Sequence, residues 1–482
     1  MSENIKYPTL YVKNFAKIKE AKIELSPFTL FIGDNNSGKS YLASLIWYIQ
    51  NIKLLYKFYT NIDYPKIESL DNISYDIINK NIINSKIDNN VINDIIKTIN
   101  NILKTNKKNI LADIFSSTQI EIEELYILDY EINYDISINI LLYEKNYFDS
   151  DDKGKVKYYL TITFNINDNE YKKYENVEIN NINDLSLFLL EKIYSILFNS
   201  SSQLFLPVSR TGFLLLRDLI IRKSPLTLWN NTYDVSNKVS LTLPVQDFFN
   251  QLSNVLERSS IAGFDYLKIN NEFDNIYNFI SSNILDGSII IDQMINFIPI
   301  SSYLTNYLRP QENVNIFYKS KNSNYNFDMH ISSSVITEIA PLVLFLKYLK
   351  YTNIIMEEPE ISLHPKLQQQ LTRLFIKLIN IGVNVMITTH SDTIIQHINN
   401  MIKLNNNKED VKKELMKKYN YNEDDLISED KVRMYQFDIK EDGFTEVTEI
   451  KGSKYGFQAP TFHKYLMQSS EEFEDFIEDL DN

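Results

Sequence analysis

Gly33-Asp34-Asn35-Asn36-Ser37-Gly38-Lys39-Ser40 has the glycine, lysine and hydroxyl spacing of a phosphate-binding loop. Roughly 320 residues beyond Gly38, Asn353-Ile354-Ile355-Met356 is a short apolar run ended by two carboxylates, Glu357 and Glu358. That is the pattern of a buried strand carrying a metal ligand and a base to the edge of a sheet. A compact phosphate-loop domain needs about a third of that interval to build its central sheet. The chain must therefore leave the loop, build other structure, and return. This separation predicts an α/β fold in which both ends of the chain contribute to one nucleotide-binding lobe pair, with further units inserted between them.

The local patterns agree with that constraint. Thr9–Phe15 and Ala21–Leu25 alternate like paired strands, and Phe28-Thr29-Leu30-Phe31-Ile32 is a buried strand feeding the loop. Tyr41 to Trp47 opens a helix, so strand, loop and helix follow in the order that phosphate binding requires. Residues 51–115 are predominantly helical in pattern. Residues 118–175 alternate in three runs (120–123, 136–140 and 158–164), with a turn at Asp149–Lys155, which predicts an antiparallel meander. A helix over 183–198 leads to a strand, Gln203–Pro207, ending at Val208-Ser209-Arg210. Residues 211–310 are mainly helical, with two antiparallel strands expected within 314–331 and a helix over 334–350. Strands at 354–356 and 383–388 flank a helix at 365–380; a helix at 407–418, strands within 432–450 and a last acidic helix follow. The expected divisions are 1–210, an N-terminal lobe; 211–330, a helical arm with a hairpin; 331–450, a C-terminal lobe; and 451–482, the acidic helix.

Each motif suggests a chemistry. Gly33 and Gly38 let backbone N–H groups turn toward phosphates, and the following helix adds the positive end of its dipole. The nucleotide contacts expected there are Gly33, Asn35, Asn36, Ser37, Gly38, Lys39, Ser40 and Tyr41, with Lys39 reaching the β- and γ-phosphates. Ser40 and Glu357 are the expected Mg²⁺ ligands, and Glu358 the group that orients or deprotonates an attacking water. His390, closing the next apolar strand in Thr389-His390-Ser391-Asp392, falls near the same edge and is expected to sense the γ-phosphate or position water. Ser332-Ser333-Ser334, before an apolar helix, supplies hydroxyls and free backbone N–H groups at a helix start. The motif by itself is weak, and simple capping by Ser334, which needs no ligand, is the reading it favours. Pro341 implies a kink or a short first turn in that helix.

Composition removes several alternatives. The chain has no cysteine, which excludes disulfides, thiolate metal sites and a thiol nucleophile and suits a reducing cytoplasm. No apolar stretch reaches the ~18 residues a membrane span needs, and Met1–Lys6 lacks the basic-then-apolar order of a signal peptide. A cytoplasmic protein with no membrane partner is expected. The formal net charge of −14 argues against a broad nucleic-acid surface, so DNA is not indicated, although a local basic groove is compatible with it.

In this order the segments resemble the head of ABC-type ATPases of the SMC-like, overcoming-lysogenization-defect-like group. The resemblance is carried by Leu10–Phe15, Gly33–Ser40, the meander, Leu206-Pro207-Val208-Ser209-Arg210, Ser332–Ser334, Glu357-Glu358-Pro359-Glu360-Ile361-Ser362-Leu363-His364-Pro365 and Thr389–Asp392. The Glu-Glu-Pro-Glu-x-x-Leu-His-Pro string is the most specific of these. The chain is most similar to ATPases of bacterial anti-phage and abortive-infection systems, without a TOPRIM nuclease domain. The resemblance implies a split P-loop head with an antiparallel β subdomain and an inserted helical arm, binding ATP and Mg²⁺ between two copies of the chain. It implies that Glu358 is the general base and that Lys39 and His390 act beside it. Ser332, Ser333 and Ser334 would reach the nucleotide of the second head, and Arg210 would lie on the segment that links phosphate state to the arm. A separate effector, such as a nuclease or toxin, would be the downstream partner. The chain departs from the wider class in three ways: Glu357 stands where aspartate is usual, the Leu206–Arg210 segment has no glutamine, and the serine turn lacks glycines.

Two other functional classes fit parts of the pattern: a DNA-repair or chromosome-handling ATPase, and a scaffold that uses ATP only to assemble. An intrinsic nuclease would need carboxylates that the strand Phe444–Ile450 does not arrange. Phe473, Phe476, Ile477 and Leu480 make one apolar stripe among acidic residues, which fits docking on the protein's own core or an acidic docking helix for a partner.

Overall fold

The computed structural model describes residues 7–58, 67–80, 84–128, 131–132, 134–147, 156–167, 169–215, 241–260, 271–299, 308–323, 325–458, 471–473 and 476. The strands, in chain order, are β1 (Thr9–Phe15), β2 (Ile18–Glu24), β3 (Phe28–Gly33), β4 (Asn84–Ile87), β5 (Glu124–Ile127), β6 (Ile136–Tyr147), β7 (Val156–Ile166), β8 (Asn169–Ile179) and β9 (Gln203–Leu206). They continue as β10 (Gly287–Pro299), β11 (Leu308–Ser320), β12 (Asn326–Asp328), β13 (Asn353–Glu357), β14 (Asn384–Thr389), β15 (Val432–Ile439) and β16 (Thr445–Ile450). The architecture is mixed α/β, with a parallel sheet and separate antiparallel sheets.

The chain forms two compact units interleaved in sequence: Met1–Ser26, Ser44–Ser201 and Asp438–Thr448 make one; Pro27–Ala43, Ser202–Phe437 and Glu449–Asn482 make the other. The phosphate loop therefore belongs to the unit built mostly from the second half of the chain.

In the first unit β1 pairs antiparallel with both β2 and β5. The outer edge of β5 is closed by Asn100, whose amide accepts from Ile127 N at 2.7 Å and donates to Ile127 O at 2.8 Å, imitating a neighbouring strand. The expected meander is present as a four-stranded antiparallel sheet in the order β4-β6-β7-β8. Two details differ from the sequence pattern. Residues 120–123 precede β5 without joining it, and β4 interrupts the stretch read as helical. The Asp149–Lys155 turn lies outside the described residues.

The second unit holds a parallel sheet in the order β15-β3-β14-β13-β9. β3 and β13 are buried along their whole length, which is why they are continuous apolar runs rather than alternating ones. Helix Pro365–Asn380 covers this sheet with a strongly apolar face; proline occupies its first turn, and His364 caps it by accepting from Lys366 N at 3.4 Å. Helices Leu243–Ser260 and Asn271–Asn283 share the unit's apolar core through Phe248, Leu252, Ile276 and Ile280, together with Leu342 and Phe345 of helix Ser334–Tyr348. The segment expected to be largely helical also contains the 13-residue strands β10 and β11, longer and earlier than the strands expected at 314–331. Pro341 lies inside a helix that runs on to Tyr348. Most of the acidic C-terminal segment, including Ile477 and Leu480, lies outside the described residues. No described helix is long and apolar enough to cross a membrane.

Candidate functional site

Register places the chemistry. β13 pairs with β14 so that Glu357 opposes Thr388, and β14 pairs with β3 so that Thr389 opposes Ile32. The loop after β3, the two glutamates after β13 and His390 after β14 therefore leave the sheet at one carboxyl edge, where ligands bind in folds of this kind.

The loop has the backbone its glycines were expected to permit. Gly33, Asn36 and Gly38 have φ of 121°, 59° and 97°. A side chain at Gly33 would meet Phe437 O at 2.2 Å, so close packing against β15 requires glycine as firmly as the dihedral does. Lys39 is buried, and its ammonium donates to the carbonyls of Asp34 at 2.6 Å and Gly33 at 3.1 Å. Burial lowers its pKa to about 8, against the opposing pull of Glu358, Asp34 and Glu360. Asn35 and Asn36 are exposed at the loop tip, Ser37 is buried, and Ser40 and Tyr41 are exposed at the start of the helix.

Ser40 hydrogen-bonds the carboxylate of Glu357, which also accepts from Val208 N at 3.3 Å. Burial raises the pKa of Glu357, and these two bonds oppose the rise. Glu358 differs in every respect. It is half-buried, has a left-handed φ of 42°, and is fixed by its N–H donating to Thr388 O at 2.8 Å. His390 Nε2 lies 3.7 Å from Glu358 Oε1 and has no hydrogen-bond partner among the described residues. The imidazole also bonds the carbonyl of Gly33, and its backbone N–H donates to Glu360 Oε1 at 2.6 Å. Burial, then the charge of Lys39, hold its pKa below the ordinary value, so the ring is neutral near pH 7.

Arg210 occupies a different place from a nucleotide contact. Its side chain is completely buried, with Nη1 donating to Glu357 O at 2.7 Å and Pro207 O at 3.1 Å, and Nη2 to Glu358 O at 3.1 Å. Its counter-charge is Glu338, which also accepts from the Thr211 hydroxyl. The serines keep bonds within their own turn: Ser332 Oγ donates to Asp328 O at 3.0 Å, and Ser333 rather than Ser334 caps the helix, without a side-chain bond.

The family comparison decides what this edge belongs to. A model of the AAA ATPase domain matches residues 8–395. The chain belongs to that AAA ATPase family. No curated protein matches it. Among solved structures, the Smc head bound to the C-winged helix domain of ScpA is 13% identical, with a TM-score of 0.37 over 92% of this chain and 98% of that one. An Smc head with an extended coiled coil, bound to the ScpA C-terminal domain from Pyrococcus furiosus, is 11% identical, with a TM-score of 0.36 over 97% and 99%. The SMC head domain from Thermotoga maritima is 10% identical, with a TM-score of 0.31 over 92% and 99%. Those likenesses are too distant to carry a statement about activity.

The AAA ATPase thus brings Lys39, Ser40, Glu357, Glu358 and His390 to one edge, with Arg210 beneath it. Sequence reasoning did not identify Glu338, Thr388 or the backbone of Phe437 as parts of this edge. Glu338 had a signal: it is a lone acid in the apolar run Val335–Leu346, and a buried carboxylate requires a partner. Phe437 acts through its backbone carbonyl, which leaves no trace in side-chain identity, and Thr388 through its carbonyl and its hydroxyl, both of which accept from Glu358 N.

Proposed function

We propose that this ATPase is an ABC-type, SMC-like head that hydrolyses Mg·ATP between two copies of the chain and acts as a conformational sensor or switch. The switch controls a separate effector, such as a nuclease or toxin, in bacterial anti-phage defence. The observation that carries the hydrolytic reading is the convergence of Lys39, Ser40, Glu357, Glu358 and His390 on one sheet edge, with 3.7 Å between His390 Nε2 and Glu358 Oε1. The defence role rests on the resemblance carried by Glu357–Pro365.

The residues suit Mg²⁺, which prefers oxygen ligands and retains waters beside one or two protein groups. The hydroxyl of Ser40 and the carboxylate of Glu357 would hold it, and the ion would neutralise developing charge on the phosphates. Lys39 exchanges its loop carbonyls for β- and γ-phosphate oxygens. Glu358 accepts a proton from the attacking water, and the neutral His390, tied at its backbone to Glu360, orients that water or the γ-phosphate. Ser332–Ser334 presents a helix start without a side-chain cap, suited to an anion supplied by the second copy. With its unusual glutamate at 357 and a serine turn lacking glycine, turnover is slow and the shape change is the output.

The test has two readouts. ATP turnover per chain should rise with protein concentration until dimers saturate. Full-length Glu358→Gln protein, purified with and without ATP, should retain an effector only with ATP. Recovery of a nuclease or toxin supports the switch; recovery of DNA alone overturns it in favour of chromosome handling or repair.

A further inference from the structure

We infer that Arg210 is a positioning residue that sets Glu358 for catalysis, and that Glu338 holds Arg210 in place while tying it to the helix that starts at the serine turn. The inference rests on the hydrolytic role proposed for Glu358.

Arg210 is the largest fully buried side chain among the described residues, and its guanidinium is shielded from solvent. It grips the backbone instead. Nη1 and Nη2 bond the consecutive carbonyls of Glu357 and Glu358 at 2.7 and 3.1 Å, one on each side of the Glu358 Cα, where the chain turns away from β13. Nη1 also bonds Pro207 O at 3.1 Å, closing the segment onto the same strand end. The planar fork of guanidinium donors holds these acceptors from two nitrogens at fixed angles, a spread that the single nitrogen of an ammonium does not reproduce.

That backbone needs holding. Glu358 has a φ of 42°, in the left-handed region that non-glycine residues rarely occupy, and such conformations persist only where their surroundings over-determine them. Thr388 O restrains Glu358 through its N–H, and Arg210 restrains it through its carbonyl. Between these two bonds the direction of the carboxylate toward His390 is set.

Glu338 supplies the second half. It is buried, accepts from Thr211 and pairs with Nη2 of Arg210, the same nitrogen that bonds the Glu358 carbonyl. It lies four residues after Ser334, about one helical turn from the start of its helix. A displacement of the serine turn along that helix would therefore reach Glu358 through one ion pair and one hydrogen bond.

The test compares Arg210→Lys in two backgrounds of the full-length protein. In the otherwise unaltered chain, kcat should fall about 10- to 100-fold, as a misplaced catalytic group predicts, with KM and bound-nucleotide stoichiometry unchanged. In a Glu358→Gln background the same substitution should leave the residual rate unchanged, because there is no longer a carboxylate to position. Equal losses in both backgrounds, or no loss in either, overturn the inference. Should Arg210→Lys fail to fold, Glu338→Gln, which keeps the side-chain shape and removes the counter-charge, carries the same comparison with the same outcomes. Absence of turnover in the unaltered chain overturns the hydrolytic reading and this role with it; turnover with equal losses overturns this role alone.

Discussion

His390 Nε2 stands 3.7 Å from Glu358 Oε1, and the two side chains arrive from adjacent parallel strands. A carboxylate and a neutral imidazole at that separation can share one water. Glu358→Gln is expected to lower kcat by about 10²- to 10⁴-fold while leaving ATP affinity near its original value. His390→Gln should lower kcat by about 10-fold or more. Single-turnover hydrolysis with separate equilibrium binding checks both; a Glu358→Gln rate within about twofold of the original removes Glu358 from the role of base.

Gly33→Ala should destabilise the second unit before it affects chemistry. The added Cβ would meet Phe437 O at 2.2 Å, on a backbone with φ of 121°. Backbone strain of about 1–3 kcal/mol and overpacking of about 1–3 kcal/mol together predict a loss of ~2–6 kcal/mol. Denaturant unfolding of the variant without nucleotide measures it, and an unchanged midpoint contradicts the packing described.

The pKa of Lys39, lowered to about 8, makes nucleotide affinity depend on pH. Below pH 8 the ammonium is present and ready to pair with phosphate. Above it the free protein loses that proton, while bound phosphate favours the charged form and raises the pKa. ATP affinity should therefore fall as pH rises from about 8 toward 10, with proton uptake on binding. Calorimetry in buffers of different ionisation enthalpy reads that uptake directly, and Lys39→Ala should abolish it.

Asp247, on helix Leu243–Ser260, has its pKa raised by burial to about 6, partly offset by a hydrogen bond from Gln251. Its folded form holds the proton more tightly than the unfolded chain does. The neutral acid is thus compatible with folding at low pH, and stability is lost as pH rises from about 4 through 6. Asp247→Asn should raise stability at pH 7–8 by on the order of 2 kcal/mol and flatten that stretch of the curve. Thermal unfolding from pH 4 to 8 checks the sign.

Much of the edge was legible because its residues carry local signals. Gly33 and Gly38 mark a turn no other residue makes cheaply, and both have positive φ. The helix at 365–380 was legible from its apolar period and from Pro365 at its start. β10 was not. Gly287–Pro299 is a mixed apolar and polar run whose state is decided by thirteen residues of β11 lying opposite it, and short-range periodicity cannot separate such a strand from a helix. Helix Asp392–Asn405, begun by the Ser391 side chain accepting from Ile394 N, likewise went unidentified despite the capping serine. Arg210 was legible as important but not as buried, since an arginine after a strand end points equally well to solvent, phosphate or backbone.

The sequence by itself determined the phosphate loop, the acidic strand end and the parallel α/β character. Each is a short-range consequence of glycine freedom, apolar runs and residue order. Only the tertiary structure decided which unit owns the loop, that Phe437 rather than phosphate alone demands glycine at 33, and that Arg210 and Glu338 meet 128 positions apart beneath Glu358. Those facts depend on which carbonyl or counter-charge a buried group meets. Long-range packing settles that choice, because desolvation leaves an unpaired buried charge no stable alternative.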